Sequence, residues 1–245
     1  LVEGPQAVRE LVRFRPGAVR DVYVREDAWG THADVVDAAR RVTRWVHPVT
    51  AEVSAALSRD SQGVCAVASA DAVSRELPEP SVGETLVVLA QGRDPGNVGT
   101  IIRTADAFGA VGVITVSGTV EATSPKVVRA SAGSVFHIPV CVVSSFEEAH
   151  ALIHRRSAAL LGTSGGAGSL DLSQMLVQGV SGRSRLSQSH AWVFGNEAKG
   201  LSGAEMRLCD ALVSIPMTGD AESLNVASAA TACLFASQTV RGMTL

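Results

Sequence analysis

Short, wholly apolar segments alternate with amphipathic segments over the C-terminal two-thirds of the chain, and this alternation limits the fold more than any other sequence feature. The apolar segments have the length of strands, and the amphipathic segments have helical spacing. This order is typical of an α/β fold whose parallel sheet is covered by helices on both faces. The predicted strands are 86–90, 111–116, 138–143, 158–162, 191–194 and 212–215, and the predicted helices are 97–108, 126–131, 146–155 and 224–239.

The N-terminal part, residues 1–73, has a separate pattern that predicts a small α/β domain. Residues 74–83 carry two prolines and no periodicity, so we interpret them as the linker to a second domain at 84–245. Because Leu1 already lies inside an apolar pattern, we expect the native start of the protein to be missing. The expected N-terminal helices are 5–14, 31–45 and 48–57, and the expected strands are 19–24 and 64–67.

Composition narrows the classes of function. The 245 residues are 46% hydrophobic, which excludes wholesale disorder. With 21 Lys and Arg against 24 Asp and Glu, the formal net charge of −3 argues against a general binder of nucleic acids or anionic membranes. Only Lys126 and Lys199 are lysines, so 19 of the 21 basic residues are arginines, which suit bidentate phosphate contacts. GC-rich coding explains the same bias equally well.

Targeting and cysteine patterns indicate a compartment. No apolar run approaches the roughly 18 residues of a membrane span, and no secretory signal is visible. The four cysteines are far apart and form no CxxC pair, which predicts reduced thiols and neither a disulfide framework nor a zinc site. We therefore expect a cytoplasmic protein without a membrane or metal partner. The cysteines are Cys65, Cys141, Cys209 and Cys233.

Parallel sheets bind ligands in the crevice beyond the carboxyl ends of their strands. The candidate site loops are therefore 91–97, 163–169, 195–202 and 216–223. The glycine patterns of Rossmann and P-loop nucleotide sites are absent. His150 and His154 are four residues apart, but no Glu stands between them as in a metalloprotease, so a solvated helix face is favoured.

A serine-hydrolase pattern also follows a predicted strand. Residues 162–166 read G-x-S-x-G, which would make Ser164 a nucleophile. Further glycines follow where a helix is required, and His190 and Asp171 are the available partners for a triad. We keep this hypothesis as a remote alternative to a glycine-rich loop that approaches a ligand.

Two polar loops precede predicted helices. In the first, Asn97 is expected to cap a helix that contains Arg103 among apolar residues. A buried guanidinium is costly, so a functional role for Arg103 is favoured over a simple pair with Asp106. In the second, the loop at 216–223, Ser223 is expected to cap a helix rich in small residues.

A third polar loop follows the predicted strand at 191–194. Gly195 and Gly200 permit close backbone approach. Glu197 between them could accept hydrogen bonds from a ligand or neutralise Arg103. An ordinary polar turn is the simpler alternative for this segment alone.

Taken together, the three loops resemble the motifs of the SpoU/TrmH-like branch of the SPOUT RNA 2′-O-methyltransferases. The first motif (97–105) matches N-x-G-x-x-x-R-[TN]-A, the second (195–201) matches G-x-E-x-x-G-L, and the third (223–227) matches S-L-N-V-[SA]. The resemblance covers roughly 84–245. More weakly, residues 1–73 resemble the ribosomal-protein-like RNA-binding domain of family members that act on ribosomes, a layout similar to that of the actinomycete thiostrepton-resistance methyltransferases.

The resemblance implies a trefoil knot in the C-terminal half, an S-adenosylmethionine cofactor, a homodimer and methyl transfer to a ribose 2′-hydroxyl in 23S rRNA. A tRNA substrate and a non-catalytic knotted RNA-binding protein stay open as alternatives. The implied catalytic residues are Arg103, Asn97, Glu197, Ser223 and Asn225. The implied cofactor-binding residues are Thr163, Gly165, Gly195, Asn196, Glu197, Gly200, Ile215, Pro216, Met217, Ser223, Leu224, Asn225 and Ala227.

The family assigns activation of the hydroxyl to the arginine that corresponds to Arg103. An arginine stays protonated below a pKa of about 12, so a consistent role is to hold a phosphate and stabilise the developing alkoxide. With only 4% aromatic residues, base stacking of the RRM type is not expected. The predicted phosphate contacts are Arg9, Arg13, Arg40, Arg41 and Arg44, with solvated helix faces as the alternative.

Overall fold

We analysed a computed structural model of the chain, which describes residues 1–166 and 168–244. The N-terminal part contains a four-stranded mixed sheet in the order β1-β4-β2-β3. Strand β4 is antiparallel to β1 and β2, whereas β3 is parallel to β2 and forms one edge. The strands are β1 (Val2–Glu3), β2 (Val19–Arg25), β3 (Val46–Val49) and β4 (Val64–Ala68), and the helices are α1 (Pro5–Phe14), α2 (Ala33–Val42) and α3 (Ala51–Leu57).

Two N-terminal strands were not predicted. The expected helix at 48–57 begins only at Ala51, because Pro48 lies in β3 and Thr50 caps the helix by accepting a hydrogen bond from the Val53 backbone N–H. Strand β1 consists of two residues, too few to show any periodicity. Helix α2 begins after His32 rather than at a Thr31 cap.

The C-terminal part contains a seven-stranded sheet in the order β7-β6-β5-β10-β8-β11-β9, and every neighbouring pair is parallel. The predicted α/β fold class is confirmed, and each predicted strand lies within two residues of its predicted bounds. The strands are β5 (Thr85–Leu89), β6 (Gly112–Val116), β7 (Val140–Val143), β8 (Ala159–Thr163), β9 (Leu170–Asp171), β10 (His190–Phe194) and β11 (Ala211–Ser214). The helices are α4 (Pro95–Ala107), α5 (Pro125–Ala130), α6 (Phe146–Arg155), α7 (Leu172–Val180), α8 (Gly203–Leu208) and α9 (Val226–Thr244).

The order of the strands positions the site. Strand β10 lies between β5 and β8, although both precede it in the chain, and β11 lies on the far side of β8. The carboxyl ends of β5, β10, β8 and β11 are therefore neighbours, and the four loops that follow these strands gather at one edge. Helix α9 then packs against α4 and α7. The trefoil knot stays a prediction from the resemblance.

Alternate residues of the central strands face two cores. Val87 on β5 and Trp192 on β10 belong to one apolar cluster, whereas Leu86 and Val193 belong to another on the opposite face. The first cluster continues into the N-terminal sheet, where it includes Val22. The two sheets therefore share one continuous hydrophobic core.

The predicted linker, 74–83, contains no helix or strand, yet the C-terminal part holds it at several points. The Val140 backbone N–H donates to the Ser74 carbonyl at 2.8 Å, and Arg156 Nη1 donates to the Pro78 carbonyl at 2.8 Å. Arg156 also forms a buried bidentate pair with Glu84, at 2.7 and 2.8 Å. This segment is therefore anchored to the C-terminal sheet.

No helix in the described residues has the length and apolar character needed to cross a bilayer. All four cysteines are free thiols.

Candidate functional site

A cleft of about 440 Å³ lies at the carboxyl edge of the C-terminal sheet, within the size range of small-molecule sites. Its walls come from the loops after β8, β10 and β11 and from the start of α9. Apolar side chains form much of the lining, including Leu201, Val213 and Ile215. Such a cleft can enclose a flat heterocycle between apolar side chains while backbone groups provide hydrogen bonds.

The second motif folds back on itself. The Asn196 backbone N–H donates to the Gly200 carbonyl at 3.0 Å, and the Gly200 N–H donates to the Asn196 carbonyl at 2.8 Å. A Cβ atom on Gly195 would lie 2.4 Å from the Gly200 carbonyl oxygen, so only glycine fits there. Gly200 itself has a φ of +66°, a conformation that favours glycine. The two glycines of this motif are thus required by the loop itself.

The second motif contacts the start of α4. Glu197 Oε1 accepts a hydrogen bond from the Asp94 backbone N–H at 3.3 Å. Asp94 caps α4, because its side chain accepts from the Asn97 backbone N–H at 2.8 Å. The prediction that Asn97 caps this helix is therefore wrong, and its side chain is left for another contact.

That contact is with the third motif. Asn225 Nδ2 donates to Asn97 Oδ1 at 3.0 Å. Asn225 Oδ1 accepts from the backbone N–H groups of Ala227 and Ser228, so Asn225 and not Ser223 caps α9. These hydrogen bonds join residues that are 103 and 128 positions apart along the chain, so the start of the first motif's helix contacts both other motifs directly.

Arg103 lies on α4, six residues beyond Asn97 and about 9 Å further along the helix axis. Its side chain is exposed and makes no hydrogen bond or ion pair within the described chain. Asp106 is bound instead to His137, at 2.8 Å. The argument from burial was therefore wrong, and so was the simple pair with Asp106. The structure leaves an unneutralised cation on the helix that the other motifs contact.

Most of the residues that the resemblance assigns to the cofactor lie on the cleft. Pro216, Asn225 and Ala227 are beside it rather than on its surface. The predicted residues that line it are Thr163, Gly165, Gly195, Asn196, Glu197, Gly200, Ile215, Met217, Ser223 and Leu224.

Further lining residues were not predicted. Met206 belongs to α8, a six-residue helix that is too short to show a helical periodicity in the sequence. Its start could have been found, because Ser202 and Glu205 form a capping box. The other unpredicted lining residues are Ser164, Ala198, Lys199, Leu201, Val213, Glu222, Val226 and Ala229.

Ser164 does not form a hydrolase site. It follows the carboxyl end of β8, whereas His190 begins β10 at the opposite edge of the sheet. His190 Nε2 lies 2.7 Å from Ser237 Oγ, and burial lowers the pKa of His190 to about 4. This histidine is a neutral partner in a buried hydrogen-bond network, so the serine-hydrolase alternative is wrong.

The arginines predicted to contact RNA have different surroundings. Arg9 pairs with Asp34 at 2.7 Å, whereas Arg41 is exposed at the end of α2. The guanidinium groups of Arg13, Arg40 and Arg44 lie over the rings of Phe14, Trp29 and Trp45 at 5.1, 5.2 and 4.6 Å. Within the described residues, no cluster of three or more His, Cys, Asp or Glu side chains could hold a metal ion.

Comparison with known proteins identifies relatives over the whole chain. The sequence model described as the SpoU rRNA Methylase family matches residues 84–235. The chain is 32% identical over 244 residues to the 23S rRNA (guanosine-2'-O-)-methyltransferase RlmB of Bordetella pertussis, covering 97% of this chain and 96% of that protein. It is 42% identical over 146 residues to a 23S rRNA (uridine(2479)-2'-O)-methyltransferase of Streptomyces viridochromogenes, covering 58% of this chain and 47% of that protein.

The fold is also similar to solved structures. The SpoU methyltransferase AviRb from Streptomyces viridochromogenes, in complex with the cofactor AdoMet, superposes with a TM-score of 0.76 and 30% sequence identity. The match covers 98% of this chain and 89% of that chain, so it includes both sheets.

Proposed function

The chain belongs to the SpoU rRNA methylase family, and we propose that it is an S-adenosylmethionine-dependent methyltransferase that acts on a ribose 2′-hydroxyl of 23S rRNA. The observation that carries this proposal is the meeting of three loops at one sheet edge. Hydrogen bonds join Asp94 to Glu197 and Asn97 to Asn225, and the resulting cleft lies beside the helix that bears Arg103.

The cleft fits S-adenosylmethionine in size and chemistry. Leu201, Met206 and Val226 offer apolar surface to an adenine ring, and the glycine-rich second motif exposes backbone hydrogen-bonding groups. When bound, this cofactor supplies an electrophilic methyl group. We assign its binding to the ten predicted residues that line the cleft, with Asn225 and Ala227 supporting the wall from behind.

Arg103 is the residue we assign to the hydroxyl. Its exposed guanidinium has no partner in the described chain, so it can bind an RNA phosphate and stabilise negative charge on the attacking oxygen. Asn97 and Asn225 fix the start of α4 against the start of α9, and Glu197 fixes it against the second motif. These three side chains therefore position the helix that bears Arg103. Ser223 lines the cleft and is assigned to orienting the ribose.

We assign RNA selection to residues 1–73, with 74–83 as the anchored connection to the catalytic domain at 84–245.

The protein is further proposed to form a homodimer through the exposed sides of α4 and α9. Phe235 is 53% exposed there, and its ring lies 6.0 Å from that of Phe108. A dimer has about twice the chain mass of 25.4 kDa in light scattering, and a Phe235→Glu variant is expected to be monomeric. A cytoplasmic location stays a prediction.

The test measures transfer of a labelled methyl group to 23S rRNA, followed by mapping of the labelled nucleotide. Arg103→Ala should lower transfer by at least about 100-fold, the size of effect seen when an oxyanion stabiliser is removed. Cofactor affinity in calorimetry should be unchanged, and Arg183→Ala, at an exposed arginine remote from the motifs, should behave as wild type. Cofactor binding without methyl transfer by the wild type would support the non-catalytic alternative instead, and label in tRNA alone would refute the rRNA substrate.

A further inference from the structure

An aromatic stack projects from the edge of the N-terminal sheet. Tyr23 on β2 and His47 on β3 are paired across the two strands, and their ring centroids are 5.0 Å apart with an interplanar angle of 23°. The Trp45 ring continues the series, 6.2 Å from His47 and tilted by 18°. Three nearly parallel rings therefore form a short column on the surface.

The backbone and one carboxylate hold this column in place. The Val22 N–H donates to the Trp45 carbonyl at 2.9 Å, and Thr43 Oγ1 accepts from the Trp45 N–H at 3.1 Å. Asp21 Oδ1 lies 2.9 Å from His47 Nε2 and fixes the plane of the imidazole. The flat faces are thus oriented in advance, which lowers the entropy cost of binding a planar ligand.

The outer end of the column reaches the surface, where a guanidinium lies over the last ring. Trp45 is 50% exposed, whereas Trp192 is buried and Trp29 is half-buried. The Arg44 guanidinium lies 4.6 Å from the centre of the Trp45 ring, and Arg20 and Arg41 are exposed on neighbouring segments. The chain has only one tyrosine and 4% aromatic residues, so placing Tyr23 and an exposed tryptophan together needs an explanation that packing does not provide.

We propose that this column, Trp45–His47–Tyr23 with Arg44, is a stacking site for an unpaired nucleobase of the RNA substrate. An aromatic face accepts any base, so a nucleobase can replace the Arg44 guanidinium over the Trp45 ring, and the displaced arginine can bind the adjacent phosphate. The arginines favour a polyanion over an apolar protein surface as the occupant. The inference rests on the proposed function for its ligand, and it departs from the expectation, drawn from the few aromatic residues, that base stacking of the RRM type is absent.

Binding to short RNA tests the stack directly. The probes are a nine-nucleotide oligo(A) and an abasic ribose-phosphate oligomer of equal length and charge. Oligo(A) should bind more tightly and quench tryptophan fluorescence, and the abasic oligomer should do neither. Trp45→Leu should weaken oligo(A) binding by about 5- to 100-fold, whereas Trp45→Phe should keep the affinity and lose the quenching. The control Val177→Ala changes an exposed apolar residue on α7 and should have no effect.

Equal binding of both oligomers, or unchanged oligo(A) affinity in folded Trp45→Leu, would overturn the stacking site. Methyl transfer to 23S rRNA, measured in parallel, separates this failure from that of the proposed function. Base-dependent quenching in a protein that transfers no methyl group would uphold the stack and refute the activity. If Trp45→Leu does not fold, the comparison of wild type with Trp45→Phe still decides the question, because absent quenching in the wild type refutes the proposal.

Discussion

At the scale of single residues, Gly195 shows how a loop can require the absence of a side chain. A Cβ there would lie 2.3 to 2.5 Å from backbone atoms of Gly200 and Leu201, so Gly195→Ala must open the second motif. We expect the dissociation constant for S-adenosylmethionine to rise at least about tenfold, which is about 1.4 kcal/mol. Calorimetry measures it. Gly219→Ala is the control, because its Cβ would meet nothing within 4 Å, and equal affinities of the two variants would contradict the prediction.

The charge of the buried Glu84 side chain contributes to the stability of the fold. Burial acts to raise its pKa, but hydrogen bonds from Arg156 and Ser81 outweigh burial and hold the pKa below its ordinary value of 4.5. A carboxyl whose pKa is lowered by folding stabilises the fold above pH 4.5, and that stability is lost as the pH falls through the folded-state pKa. Glu84→Gln should therefore be less stable at pH 7, by about 3 kcal/mol.

Denaturant unfolding at several pH values measures this effect. Below pH 4.5 the gap in unfolding free energy between wild type and Glu84→Gln should narrow, because protonation removes the same charge from the wild type. The control is Glu79→Gln, at an exposed position of segment 74–83, and its unfolding free energy should equal that of the wild type at every pH. If the difference in unfolding free energy stays constant down to pH 3, the charged pair of Glu84 with Arg156 is not the source of the lost stability.

At the scale of elements, Asn225 both caps α9 and joins it to α4, and two substitutions separate these roles. Asn225→Ser keeps an oxygen that can accept from the Ala227 N–H, but its shorter side chain cannot reach Asn97. We expect its melting temperature to stay near that of wild type while methyl transfer falls. Asn225→Ala should lose methyl transfer and also about 1 kcal/mol of stability. Full activity in Asn225→Ser would show that the link to Asn97 is dispensable.

The elements also show what could be predicted from the sequence. The buried strands of the C-terminal sheet were found because an apolar run of five residues is a local signal. Helix caps were misassigned to Asn97 and Ser223, because several residues that can cap lie within a few positions and tertiary contacts select among them. The two-residue strands β1 and β9 exist only through their pairing partners, and no local pattern can reveal them.

The prediction of the site was limited in the same way, because local sequence patterns reveal residues but not their tertiary contacts. The motif residues were recognised by family resemblance, whereas their contacts follow from the insertion of β10 between β5 and β8, a long-range event without a local signal. The argument that Arg103 is buried was wrong, because the helical pattern gives the faces of a helix but not which face a neighbouring element covers. The column at Trp45 was missed because composition counts aromatic residues without placing them.

At the scale of the whole molecule, side chains of the N-terminal and C-terminal parts contact each other directly. His137 lies between Glu10 of α1 and Asp106 of α4, at 3.1 and 2.8 Å. Arg15 Nε donates to the Phe136 carbonyl at 2.9 Å. Together with the shared core and the anchored segment 74–83, these contacts fix the N-terminal surface relative to the cleft. Under the proposed function, an RNA held by the first sheet would be presented to Arg103 at a set distance and orientation, which is how positioning lowers a reaction barrier.

This continuity predicts one cooperative unfolding transition. In a Trp29→Phe, Trp45→Phe variant, Trp192 on β10 is the remaining tryptophan and reports only on the C-terminal sheet, whereas far-UV circular dichroism reports on both. Because the apolar cluster runs through both sheets, the two signals should have the same urea midpoint and slope. His137→Ala removes the contact with Glu10 and should lower both midpoints together. Separate midpoints in either variant would mean that the N-terminal sheet unfolds independently, and a rigid presentation of RNA to the cleft would then be ruled out.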